Sequence, residues 1–295
     1  MSPLVVWPSV LGLSVFAIGL YTYRADLIGS RGGQRYFALG VVFIALAVAT
    51  FSGEHFTIAR SLAQLVPKFL PGRVFIAYFV GVALIAAGVS FATRKCMRKS
   101  APLLALMFAL FVLLMDLPNA IRRAGTHFFW IFPAREGTFA LGALCVYVVI
   151  SQVAWGHSRT FSTMVRLWTA FVIVYYGIQN ILHPEFSPGV PDRQPTSAWV
   201  PMHLQVAYLV GAILVALGIA MLLEKTAVGA IRGVGILMTV LAIALFGPDL
   251  FLASGPDARL NAINFVADTL FFAGTMFAIA SAVAGPQPTA AMPND

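Results

Sequence analysis

The sequence is short of charge. Only 10% of its residues are Asp, Glu, Lys or Arg, while 60% are apolar, and about a quarter of an average soluble domain is charged. A chain of 295 residues this depleted cannot cover a water-facing globule, so a soluble fold is excluded. Cysteine is also scarce. Cys96 stands in a basic segment and Cys145 in an apolar run, which excludes a disulfide framework, a dithiol centre or an iron–sulfur cluster made by this chain alone. The Walker loop, the dinucleotide-binding glycine fingerprint, the zinc-protease helix and the nucleophile elbow are missing too, so no self-sufficient catalytic motif is present.

What the chain has instead is long apolar stretches, with a mean hydropathy of +0.88. Crossing a hydrocarbon core of about 30 Å takes roughly 20 helical residues. Runs free or nearly free of charge centre on residues 4–21, 36–52, 74–92, 101–117, 138–153, 167–182, 204–223, 233–247 and 269–284. Apolar residues go all round each run, without the period-two alternation of a barrel. The expected fold is an all-α polytopic membrane protein of about nine transmembrane helices. Eight spans remain open, since the fourth and eighth runs are barely long enough. Residues 4–21 are not read as a cleaved leader: no basic residue precedes them, Trp7-Pro8 interrupts their start and Arg24 follows directly.

The formal charge of +8 is dispersed between apolar runs and therefore speaks for orientation rather than nucleic-acid binding. With nine spans, one side holds eleven basic residues, Arg24, Arg31, Arg35, Arg94, Lys95, Arg98, Lys99, Arg159, Arg166, Lys225 and Arg232, against the acids Asp26, Glu224 and Asp295. The other side holds eight basic and eight acidic residues. Cytoplasmic loops retain Lys and Arg, which places the N-terminus outside the cell membrane and the C-terminus in the cytoplasm.

The chain also repeats itself. Residues 77–88 align with 207–218 at an offset of 130, with seven identities in twelve, and the same offset puts Pro118-Asn119 on Pro248-Asp249. Small shifts align Gly53-Glu54-His55 with Gly177-Ile178-Gln179, and Glu136 with Asp268. The organisation expected is an N-terminal helix and loop (1–35), a four-helix unit (36–155), a linker (156–163), a second unit (164–284) and a tail (285–295). Four spans return the chain to its starting side, so the units are parallel rather than inverted. Residues 55–70 carry apolar residues at helical spacing between Arg60, Gln64 and Lys68, which predicts an amphipathic surface helix. Residues 127–132 read as an aromatic loop at the interface.

Ionisable groups are unevenly placed. His55, His127, His183 and His203 fall on the outer side, and only His157 falls inside. The first unit places Glu54, His55, Asp116, Asn119 and Glu136 at outer helix ends, and the second places Gln179, Asn180, His183, Asp249, Asn264 and Asp268 there. Carboxylates and imidazoles gathered at a bundle mouth can pass a proton or hydrogen-bond a quinone carbonyl; the plain alternative is that they cap helix ends in the headgroup layer. The histidines lack local ligand spacing, so no metal site is expected, and no charged residue is expected at the centre of a span.

Gly53-Glu54-His55-Phe56, Leu65-Val66-Pro67 with Leu70-Pro71, Tyr78 with Gly81, Ala86 and Gly88, and Leu117-Pro118-Asn119 together resemble the DoxX-like family of four-helix integral membrane proteins. The resemblance is fuller in the first unit than in the second. It implies a bacterial inner-membrane protein linked to quinone or sulfur redox, at most a subunit of a membrane oxidoreductase with a redox protein partner. On that basis Glu54, His55 and Asp116 are the first candidates for contacting a quinone or another small apolar ligand near the outer leaflet. A small-molecule carrier and a non-catalytic assembly subunit are the alternatives.

Overall fold

The computed structural model describes residues 2–30, 32–126 and 128–285. Among them nine helices are long and apolar enough to cross a membrane: α1 (Pro3–Thr22), α2 (Gly33–Thr57), α3 (Arg73–Thr93), α4 (Met97–Arg122), α5 (Phe128–Ser151), α6 (Arg159–Leu182), α7 (His203–Ala220), α8 (Glu224–Leu252) and α9 (Pro256–Val283). The protein is an all-α polytopic membrane protein, as its apolar runs predict, and its outward helix faces contact lipid. Arg31, His127 and residues 286–295, which include Asp295 and most of the expected tail, lie outside the described residues.

Several helices run further than the charge-free runs. α5 begins at Phe128, so the aromatic segment expected as a loop forms its first turns, and α9 begins at Pro256. Asp268 is consequently the thirteenth of 28 residues in α9, so an acid expected just before a span lies well inside its helix. A helix satisfies its own backbone groups whatever its side chains, so a charged residue turned toward other helices does not end it. The expected surface helix over 55–70 is also corrected. α2 continues to Thr57, only Ala59–Leu62 forms a further turn, and the rest is irregular. Pro67 and Pro71 deny the backbone donors a longer helix needs.

At the centre of the bundle, α2 and α9 each bury 83% of their apolar window. Their backbones touch through glycine: a Cβ on Gly40 would lie 2.8 Å from the Gly274 carbonyl oxygen, and one on Gly274 2.6 Å from the Gly40 oxygen. Gly177 of α6 and Gly211 of α7 meet in the same way, at 2.7 and 2.8 Å. Lipid supplies no hydrophobic drive between helices, so association rests on such close packing. α5 lies against α9, with Phe139 stacked on Phe271 at 3.9 Å between ring centroids. α2 packs on α3 as α6 packs on α7, and α4 packs on α5 as α8 packs on α9.

α4 and α8 each widen into a π-helical turn, Val112–Asp116 and Leu241–Phe246. Pro118 and Pro248 follow these turns at the offset of 130. A proline lacks the N–H owed to the carbonyl four residues back and crowds that carbonyl. Wider bonding, such as that from the Leu117 N–H to the Val112 carbonyl, absorbs the misfit.

The bundle has a basic face, which carries the turn at 94–99, and an opposite face, which carries the loop 183–202. On the basic face, Arg94 pairs with Asp26 and stacks 3.8 Å over the ring of Tyr23. The Tyr23 hydroxyl donates to the Phe91 carbonyl at 3.1 Å. Burial pushes this phenol well above its ordinary pKa, with Arg94 opposing the shift, and α1 is thereby tied to the α3–α4 turn. The glycine crossing can be tested directly. Gly274→Ala is expected to destabilise the protein by about 1–3 kcal/mol, seen as earlier thermal unfolding in detergent. Gly229→Ala, where a Cβ meets nothing within 4 Å, is expected to stay within about 0.5 kcal/mol of the parent.

Candidate functional site

The loop 183–202 folds down into the bundle mouth. Residues 187–191 are buried, which irregular backbone tolerates at membrane depth only when enclosed by protein. Asn180 holds it there: its side-chain amide donates to the Gly189 carbonyl at 3.0 Å and accepts from the Gly189 N–H at 2.8 Å. Gly189 has φ +107° and lies so close to α8 that a Cβ would come within 2.9 Å of Leu241, so glycine is required for both conformation and space. Phe186 and Pro195 pair as a single antiparallel bridge. Asp249 anchors the far side, accepting from Ser197 Oγ at 2.5 Å and Trp199 Nε1 at 2.8 Å.

Between this loop, the start of α5 and the end of α6 lies a cavity of about 410 Å³, within the range of small-molecule sites. Phe128, Ile131 and Phe186 give it apolar walls, and Gln179, Asn180, His183 and Asp192 add polar groups. The cavity exists because α6 stands off from α5. The Trp168 ring lies against Gly137, with its Nε1 donating to Thr138 Oγ1 at 3.1 Å, and the Tyr176 hydroxyl reaches the Ile131 carbonyl at 3.5 Å. Large aromatic side chains thus fill a seam where α2 and α9 have glycine.

A buried charged cluster lies one helical turn deeper. Arg135, four residues beyond Ile131 on α5, donates to Asp268 of α9 at 3.3 Å and to Glu136 at 3.4 Å. These three side chains are 15–19% exposed. Glu54, only 7% exposed, accepts from Asn264 Nδ2 at 3.0 and 2.9 Å. Asp116, the last residue of the π turn of α4, lies within electrostatic reach of Arg135 and Glu136.

Of the eleven residues singled out from the sequence, Gln179, Asn180 and His183 border the cavity, Glu54, Asp116, Glu136 and Asp268 belong to the charged cluster, and Asn264 donates to Glu54. Asp249 anchors the loop. His55 Nδ1 meets its own helix at the Phe51 carbonyl at 2.8 Å, and Asn119 is exposed. Arg135, Tyr176 and Asp192 were not singled out. An apolar run that begins at residue 138 leaves Arg135 in a loop; its position four residues after Ile131 in an apolar-led helix is the signal that places it in α5. Among the described residues, no three His, Cys, Asp or Glu side chains could hold a metal ion. The chain matches no family model, no curated protein and no solved structure.

Removing the single guanidinium leaves buried carboxylates without their partner, so Arg135→Met is expected to cost on the order of 3 kcal/mol, measured by thermal unfolding in detergent. Neutralising its partners as well, in Arg135→Met/Glu136→Gln/Asp268→Asn, is expected to recover most of that loss.

Proposed function

We propose that this protein is a ligand-holding membrane subunit that seats a small amphipathic molecule in the cavity between α5, α6 and the loop 183–202. The cavity itself carries this reading. Its volume of about 410 Å³ and its Phe128, Ile131 and Phe186 walls suit a ring or chain, and Gln179 and His183 suit a carbonyl or hydroxyl head. The DoxX-like resemblance points to a quinone as the ligand class and assigns electron transfer to a partner protein. A carrier is the second reading, favoured by a charged cluster inside the spans.

The same proposal covers architecture and orientation. Two DoxX-like units, 36–155 and 164–284, accord with the paired helix packing and with the two π turns ahead of Pro118 and Pro248. A one-residue shift from the sequence alignment suits the packing better: Gly81 abuts His55 and Phe56, and Gly211 abuts Asn180 and Ile181, so Glu54 corresponds to Gln179 and His55 to Asn180. The basic face is placed in the cytoplasm of a bacterial inner membrane.

Calorimetric titration of the purified protein with a short-chain benzoquinone tests the ligand. Saturable binding is expected, weakened about tenfold in Gln179→Leu by the loss of roughly 1.4 kcal/mol. No saturable binding in the parent protein overturns the quinone proposal, and liposome uptake of a solute above the empty-vesicle rate supports the carrier instead. For orientation, Cys96 is exposed and Cys145 buried, so an impermeant maleimide is expected to label inverted vesicles and spare intact cells.

A further inference from the structure

The cavity and the charged cluster are stacked along the bundle axis. Ile131 in one wall precedes Arg135 by a turn of α5, and Gln179 in the opposite wall lies three residues beyond Tyr176 on α6. The Tyr176–Ile131 hydrogen bond lies between the two levels.

The charge inventory beneath that bond does not balance. Glu54 faces the cluster from α2, Asp116 from α4, Glu136 and Arg135 from α5 and Asp268 from α9. Tyr176 of α6 and Asp192 of the loop lie within electrostatic reach of Arg135. Within the spans this sets four carboxyl groups against one guanidinium, and uncompensated buried charge costs several kcal/mol per group. The polar contacts are incomplete as well: Asp116 Oδ2, Glu136 Oε2 and Arg135 Nε are buried without any hydrogen-bond partner. Asp116 Oδ2 and Glu136 Oε2 are acceptors on packed helices, α4 and α5, that a proton held on either carboxyl would serve, whereas the Arg135 Nε–H is a donor and takes no further cation. A carboxyl that takes up a proton loses its charge in place, so protonation relieves the excess of acids without any further group.

We infer that the cluster of Glu54, Asp116, Arg135, Glu136 and Asp268 is a proton-holding and proton-exchanging site, and that filling the cavity above it changes its proton load. Each proton taken up converts one carboxylate to a carboxylic acid and is drawn from water at the loop face; each proton released returns there. The coupling to occupancy rests on the ligand-binding reading of the cavity, whereas the proton site does not.

Infrared spectroscopy of the full-length protein in lipid vesicles separates the two. At neutral pH the parent protein is expected to show a protonated-carboxyl stretch that shifts in heavy water, disappears on alkalisation and loses about half its intensity in Glu136→Gln or Asp116→Asn. Asp249→Asn, outside the cluster, is expected to leave it unchanged. A parent spectrum without that band overturns the proton site, whether or not the variants fold. The coupling is then read in weakly buffered vesicles with a pH dye, where adding the short-chain benzoquinone is expected to release or take up protons in proportion to the sites filled. Quinone binding without a pH change overturns the coupling. Absence of quinone binding overturns both the cavity reading and the coupling, while the carboxyl band still decides the proton site.

Discussion

The close crossing of α2 and α9 fixes the positions of the polar groups at the bundle mouth. In a bilayer two apolar helices gain nothing by hiding from solvent, so they stay together only as tightly as their backbones can approach. Gly40 and Gly274 allow direct carbonyl contact there. About 15 Å along α9 from that point, at 1.5 Å per residue, Asn264 meets Glu54. α5 lies on the same helix, and the side chain of Arg135 reaches Asp268 from it. A wider crossing would pull each of these pairs apart, and the charges would then face lipid or water singly.

Under the two-unit proposal the scaffold repeats, but its chemistry does not. Where α2 carries Glu54, α6 carries Gln179; where α5 carries Arg135 before Glu136, α9 carries Ala267 before Asp268. The seam between α2 and α9 is shut by glycine contact and a hydrogen-bonded Glu54–Asn264 pair. The seam between α5 and α6 is propped by Trp168 and Tyr176 and leaves an opening at the end that carries the loop 183–202. Bulky residues in one seam and small ones in the other are sufficient to open a repeated bundle at the α5–α6 seam while the α2–α9 seam stays closed.

Much of this was legible in the sequence. Apolar runs long enough to span a membrane revealed all nine helices, because that signal depends only on composition over about 20 residues. The acids Glu54, Asp116, Glu136 and Asp268 were recognisable because ionisable groups near span ends are costly unless turned inward. Helix ends were less legible. Charge-free windows stop at the first Arg or Glu, whereas the helices of Arg135 and Asp268 continue past them, and this hid the one cation that organises the acids. The seating of Gly189 against Leu241 is a long-range packing contact, and no local pattern in residues 183–202 announces it.

That buried loop also bears on rates. It is held by Asn180 on α6, by Asp249 on α8 and by its own Phe186–Pro195 bridge, and it forms one wall of the cavity. Under the proposed ligand reading, loosening any of these anchors would widen the mouth, so exchange on the loop side would quicken in variants that weaken Asn180 or Asp249.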